Sequence, residues 1–139
     1  MAGFARDERG SAAVELVLLV PLLVLVLLLV VALGRFASAR GLVDDAAHQA
    51  ARAASLTRSA TAAEQAAYQA AHAALDGAGV TCTSLVVSVD TGGFAPGGRV
   101  RVAVACTVSL AEMGALGLPG HRTLQGEASS VLDVHRGVA

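Results

Sequence analysis

A run of 19 uncharged, mostly aliphatic residues near the N-terminus constrains this chain more than any other feature. The run covers residues 16–34 and reads LVLLVPLLVLVLLLVVALG. As a helix it would be roughly 28 Å long, which is close to the hydrocarbon thickness of a bilayer. It is apolar on every side and so has no polar face to turn toward water. The remaining residues are too few to bury such a rod, and the run therefore predicts a membrane-spanning helix.

The charges that flank the run do not orient it. Arg6 and Arg9 precede it, and Arg35 and Arg40 follow it, so the two sides carry equal numbers of arginines. A short N-terminal segment most simply stays in the cytoplasm. We therefore expect a single-pass protein of the cell membrane, with a cytoplasmic N-terminus and an extracytoplasmic C-terminal domain.

The composition excludes several other classes of protein. The chain has 139 residues, of which 55% are hydrophobic and 15% charged, and its formal net charge is -1. The high apolar content argues against overall disorder. A nucleic-acid partner is excluded as well, because the sequence has no run of basic residues that could neutralise several phosphates.

A short polar motif leads directly into the apolar run. Residues 10–15 read GSAAVE, so that a glycine is followed five residues later by Glu15. A carboxylate at the edge of a membrane span is costly unless it is paired or reaches the headgroups. Glu15 is therefore a candidate functional residue, and the alternative is that its side chain simply extends to the cytoplasmic headgroups.

This glycine, the glutamate and the long apolar helix together resemble the prepilin cleavage site of the type IV pilin superfamily. The longer string RGSAAVELVLLVPLLVLVLLLVVALGR resembles the TadE-like minor pilins, or pseudopilins, of tight-adherence (Flp-type) pilus systems. Two features depart from the family pattern. Leu16 stands where the family commonly has an aromatic residue, and the side-chain charges of residues 6–9 sum to zero.

The resemblance implies a processing site and a register residue. A prepilin peptidase of the membrane would cut between Gly10 and Ser11, and Glu15 would pair with the terminal amine of a neighbouring subunit. A free α-amine is mostly protonated at pH 7, so the pair would join two opposite charges within the membrane. The implied partners are the prepilin peptidase, other pilins and minor pilins, the inner-membrane pilus assembly platform and the lipid bilayer.

Two other interpretations of the N-terminus remain open. The small residues Ala37 and Ala39 could mark a signal-peptidase site, although the apolar run is longer than a usual signal sequence. The span could also be an uncleaved anchor. Either case would fit a single-span or signal-released extracellular binding module that is unrelated to pili.

Four segments are expected along the chain. Residues 1–10 form a cytoplasmic leader, 11–34 the transmembrane helix, 35–58 a helical stalk and 59–139 a small extracytoplasmic α+β domain. Helical spacing places one small or apolar stripe along the stalk, which consists of Phe36, Ala39, Val43, Ala47, Ala50 and Ala54.

A second, shorter helix is predicted over residues 62–76. Thr61 and Glu64 have the spacing of a capping box, with Thr61 as the N-cap residue. Tyr68, His72 and Leu75 fall on one side of this helix, which we expect to pack on the domain core. The alternative is a kinked continuation of the first helix.

Strand-like alternation begins at residue 80 and predicts a small antiparallel sheet of about three strands, over residues 80–89, 99–110 and 123–134. A hairpin symmetric about Phe94 sets Cys82 opposite Cys106. This predicts a disulfide, which requires an oxidising compartment, and the alternative is two buried free thiols. The fold class is α+β.

No pattern in the sequence indicates catalysis, a cofactor or a metal. The chain has no lysine for a phosphate-binding loop, and its histidines do not cluster with its cysteines. We therefore expect a protein that is not an enzyme.

Overall fold

The computed structural model describes residues 8–113, 117 and 119–132. Residues 1–7 of the predicted leader and Val134 of the predicted third strand lie outside the described residues. The elements are α1 (Glu8–Ser55), α2 (Ala60–Gly77), β1 (Ser84–Asp90), β2 (Arg99–Ser109), α3 (Leu110–Met113) and β3 (His121–Val131). A long apolar helix, a second short helix and a three-stranded antiparallel sheet confirm the predicted α+β class.

The chain divides into two compact units, and the division falls within α1, between Gly34 and Arg35. In the first unit, the described apolar side chains from Val14 to Leu33 are exposed or half-buried. The second unit begins at Arg35 and contains the buried core. Residues 35–55 of α1 therefore contribute their side chains to the core of the second unit.

The predicted small-residue stripe of α1 faces this core. Ala39, Val43, Ala47, Ala50 and Ala54 are buried, and Phe36 is partly buried against them. The core is completed by further residues of α1, by residues of α2 and the sheet, and by Leu132 directly after β3: Ala46, Ala51, Ala63, Ala67, Ala71, Leu75, Val100, Val102, Val104, Cys106, Val108, Leu124, Ala128 and Leu132. Because alanine side chains are short, the helix backbones can lie close to their neighbours.

The strands are ordered β1-β2-β3, and both pairs are antiparallel. The predicted hairpin register was wrong by three residues, since Leu85 and not Cys82 pairs with Cys106. The centre of the hairpin falls between Ala95 and Pro96, not at Phe94. The prediction assumed a symmetric loop, whereas two successive turns connect the strands.

Those two turns explain the shift. The Asp90 side chain accepts a hydrogen bond from the Gly92 amide at 3.0 Å, and the Phe94 amide donates to Thr91 O at 3.1 Å. The second turn is closed by the Gly98 amide, which donates to Ala95 O at 2.9 Å. Phe94 has a φ of 57°, which is uncommon for an aromatic residue. Its side chain is partly buried and packs against the core.

The second helix begins two residues earlier than predicted. Ser59, not Thr61, is the N-cap residue, and its hydroxyl accepts a hydrogen bond from the Ala62 amide at 3.3 Å. The predicted core face of this helix was also wrong in part. Leu75 is buried, but Tyr68 and His72 are exposed and stack on one another with ring centroids 6.2 Å apart. The alanine series at four-residue spacing occupies the core face instead.

α1 approaches the backbone of the sheet closely at Gly126. A Cβ atom built at this glycine would lie 2.8 Å from Val43 O and 2.9 Å from both Asp44 Cα and Asp44 N. These neighbours are backbone atoms, so they cannot move aside as a flexible side chain would. Near the end of α1, the Ser130 hydroxyl donates to Ser55 Oγ at 3.2 Å and makes a second contact between α1 and β3.

Replacing Gly126 with alanine should therefore loosen the contact between α1 and β3. We expect Gly126→Ala to lower the free energy of unfolding by about 1–3 kcal/mol, which is the usual cost of overpacking. Thermal unfolding of the full chain in detergent, followed by circular dichroism, measures the effect.

The matched control is Gly41→Ala, which adds the same methyl group to α1. Gly41 is exposed and a Cβ there meets nothing within 4 Å, so this variant should gain roughly 1 kcal/mol through helix propensity. Equal stability of Gly126→Ala and the wild-type chain would contradict the close approach.

Candidate functional site

The candidate site is the first part of α1, where the sequence places Gly10, Ser11 and Glu15. All three are exposed and lie in the first turns of the helix. Ser11 and Glu15 are four residues apart, so they lie on the same helical face about one turn from each other. Within the part of the chain that the structure describes, Glu15 has no hydrogen-bond or ion-pair partner.

The helix that follows has the length and composition of a membrane span. Its most apolar window has a mean hydropathy of 3.5, and none of that window is buried. Pro21 lies inside the helix without ending it. At 62% exposure for Leu16 and 63% for Leu25, this surface would be unfavourable in water. The N-terminal helix is therefore a candidate membrane anchor.

The second unit is held together by a disulfide. Cys82 and Cys106 are bonded, with their Cα atoms 5.4 Å apart. The pairing does not depend on the predicted register, because Cys82 precedes the first residue of β1. Just beside it, the Thr83 amide and hydroxyl both donate to Thr107 O, at 2.7 and 3.0 Å. These two hydrogen bonds hold Thr83, the residue directly before β1, close to β2.

The described residues show no arrangement suited to a metal ion. No group of three or more His, Cys, Asp or Glu side chains comes together among residues 8–113, 117 and 119–132. In the same residues, every buried side-chain nitrogen and oxygen has a hydrogen-bond partner. The core thus leaves no described polar side-chain atom unsatisfied.

An exposed apolar helix and a small disulfide-bonded α+β unit are the features of a protein with a candidate N-terminal membrane anchor. The family model of the TadE-like proteins matches residues 10–52, about a third of the chain. The sequence resemblance is thereby confirmed over this segment, which is similar to the TadE-like proteins. Neither the curated proteins nor the solved structures yielded a match. TadE-like proteins are structural and not catalytic.

The matched segment begins at Gly10 and ends within the part of α1 that enters the core. It includes Ser11 and Glu15, and it stops before the disulfide-bonded hairpin. The contacts that sequence reasoning missed lie in that hairpin and in β3. A glycine inside a strand pattern often marks a close backbone approach, so Gly126 offered a signal that could have located the helix contact.

Removing the disulfide should destabilise the second unit. The bond closes a loop with a sequence separation of 24, for which chain entropy gives about 3–4 kcal/mol. We expect the double variant Cys82→Ala/Cys106→Ala to lose roughly this much unfolding free energy, as measured by urea titration of the full chain in detergent.

Wild-type protein unfolded in the presence of a reductant is the matched control and should shift by a similar amount. Unchanged stability of both samples would show that the bond does not support the fold.

Proposed function

We propose that this chain is a TadE-like minor pilin: a membrane-anchored subunit that takes part in assembling a tight-adherence or related type IV-like pilus or secretion apparatus. The family match to residues 10–52 carries the proposal, because it covers the glycine, the glutamate and the span together. The exposed apolar surface of the helix supports it, since that surface needs lipid or neighbouring helices around it.

The first step in this function is processing of the N-terminus. A prepilin peptidase cuts after Gly10 and leaves Ser11 as the new terminal residue. Gly10 is exposed, and its Cα is open on the Cβ side, with nothing within 4 Å. Both observations favour access by the peptidase.

The second step is association through the helix. The amine of Ser11 in one subunit pairs with Glu15 of a neighbouring pilin, which is unpaired within the described chain. Removal of one member of a buried ion pair typically costs about 3–5 kcal/mol, so the pair favours one axial register over others. The partners are other pilins and minor pilins together with the inner-membrane assembly platform.

The disulfide supports the proposed orientation. Disulfides persist in oxidising compartments and are rare in the cytosol. The bond between Cys82 and Cys106 therefore favours an extracytoplasmic second unit and a cytoplasmic N-terminus. In this arrangement the protein acts by assembly and not by catalysis.

Substitution of Glu15 tests the assembly role. In a host that carries the tight-adherence system, we expect Glu15→Gln to be cleaved normally but to crosslink to other pilins at least a hundredfold less, given the cost of an unpaired amine. Crosslinking in membranes followed by immunoblotting measures both properties.

Glu64→Gln is the control, because Glu64 is an exposed carboxylate on α2 and its loss changes the net charge equally. The proposal fails if Glu15→Gln crosslinks as well as wild type, or if Glu64→Gln loses as much.

A further inference from the structure

A cleft in the second unit lies beside the first residue that follows the apolar run. It has a volume of about 380 Å³ and is formed by α1, the connection between α2 and β1, the end of β2, and α3. Among the residues of α1 that line it are Arg35, Ser38 and Leu42, which share one helical face. We call it the Arg35 cleft.

The sequence position of Arg35 places this lining residue at the level of lipid headgroups. Arg35 directly follows Gly34, the last residue of the uncharged run. Ser38 and Leu42 lie roughly 5 and 10 Å further along the helix axis. The polar layer of a bilayer is about 5–7 Å thick on each side of the hydrocarbon, so Arg35 and Ser38 follow a span over residues 16–34 closely enough to reach that layer.

The lining of the cleft carries charges of both signs. Arg35, in α1, and Glu112, in α3, both line the cleft, and both side chains are exposed. Neither has an ion-pair partner among the described residues. Hydroxyls of Ser38, Thr81 and Ser109 add hydrogen-bonding groups. A ligand that satisfies this lining needs an anionic part for Arg35 and a cationic part for Glu112.

We propose that the Arg35 cleft binds the headgroup of a zwitterionic phospholipid that bears a primary amine, of the phosphatidylethanolamine type. Arg35 holds the phosphate, for which a guanidinium offers paired N–H donors. Glu112 accepts hydrogen bonds from the ammonium group. Apolar residues of the lining, Leu42, Val80 and Val108, contact the carbon atoms of the headgroup.

This inference rests on the membrane-anchored part of the proposed function. A bound lipid retains the subunit in the bilayer, and the subunit must release that lipid when it leaves the bilayer to join an assembly. The cleft therefore contributes to the balance between the membrane pool and the assembled state.

The test is lipid retention by the full chain. The protein is inserted into nanodiscs that contain equal amounts of phosphatidylethanolamine, phosphatidylcholine and phosphatidylglycerol, and is then released for native mass spectrometry. We expect phosphatidylethanolamine to be retained at least fivefold over the other two lipids. Arg35→Gln and Glu112→Gln should each reduce its retention about tenfold, which is typical of the loss of one charge-assisted hydrogen bond.

Two matched variants serve as controls. Arg40→Gln removes an exposed arginine about 140° around α1 from Arg35, and Glu64→Gln removes an exposed carboxylate on α2. Neither residue lines the cleft, and both variants should retain lipid as wild type does. Equal losses in the controls, or equal retention of the three lipids, would overturn the proposal.

A competition arm separates a lipid headgroup from a simple anion. Soluble phosphoethanolamine should displace the lipid at concentrations at which inorganic phosphate does not. Equal displacement by phosphate would identify an anion site and overturn the zwitterion assignment. Flotation with vesicles is measured in parallel. A chain that floats without a preference for one headgroup contradicts only the proposed lipid site in the Arg35 cleft. A chain that does not float contradicts the proposed membrane anchor as well.

Discussion

The second unit depends on a backbone-to-backbone contact between a helix and a strand. Gly126 allows β3 to lie against the backbone of α1 at Val43 and Asp44, where even one methyl group would be too close. The alanine stripe of α1 and the alanines of α2 extend the same close packing through the core. This packing suits a short chain, because small side chains fill a thin core with little loss of conformational entropy.

As a consequence, the two parts of α1 have different surroundings. Residues 35–55 direct their small side chains into the core of the second unit, whereas the residues before Gly34 have no described protein contacts to bury them. The TadE-like match covers parts of both stretches. A single helix thus supplies the proposed membrane anchor and a structural element of the domain that it carries.

Patterns with a strict period predicted the fold well. The stripe of α1 and the α+β class follow from local spacing that fits one regular structure, and the apolar run was recognised by its length. Loops and caps were harder, because several residues compete for the same role: Ser59 caps α2 although Thr61 has the better motif. The hairpin register depended on turn geometry within residues 91–98, which composition does not determine. The spacing of Tyr68 and His72 predicted that they face the core, but the alanines of α2 face it instead. Short alanine side chains allow α2 to pack closer to its neighbours than aromatic side chains would.

The central claim is that the chain is processed and used as a pilin. Its most direct test is the N-terminal sequence of the protein recovered from membranes of a host with the matching peptidase, read together with the intact mass. We predict a chain that begins at Ser11 and whose mass is lower than that of the reduced chain by the two protons lost when Cys82 and Cys106 form their disulfide. A chain that begins near Arg40 would contradict this prediction and indicate a secreted module, and an intact Met1 would indicate an uncleaved anchor.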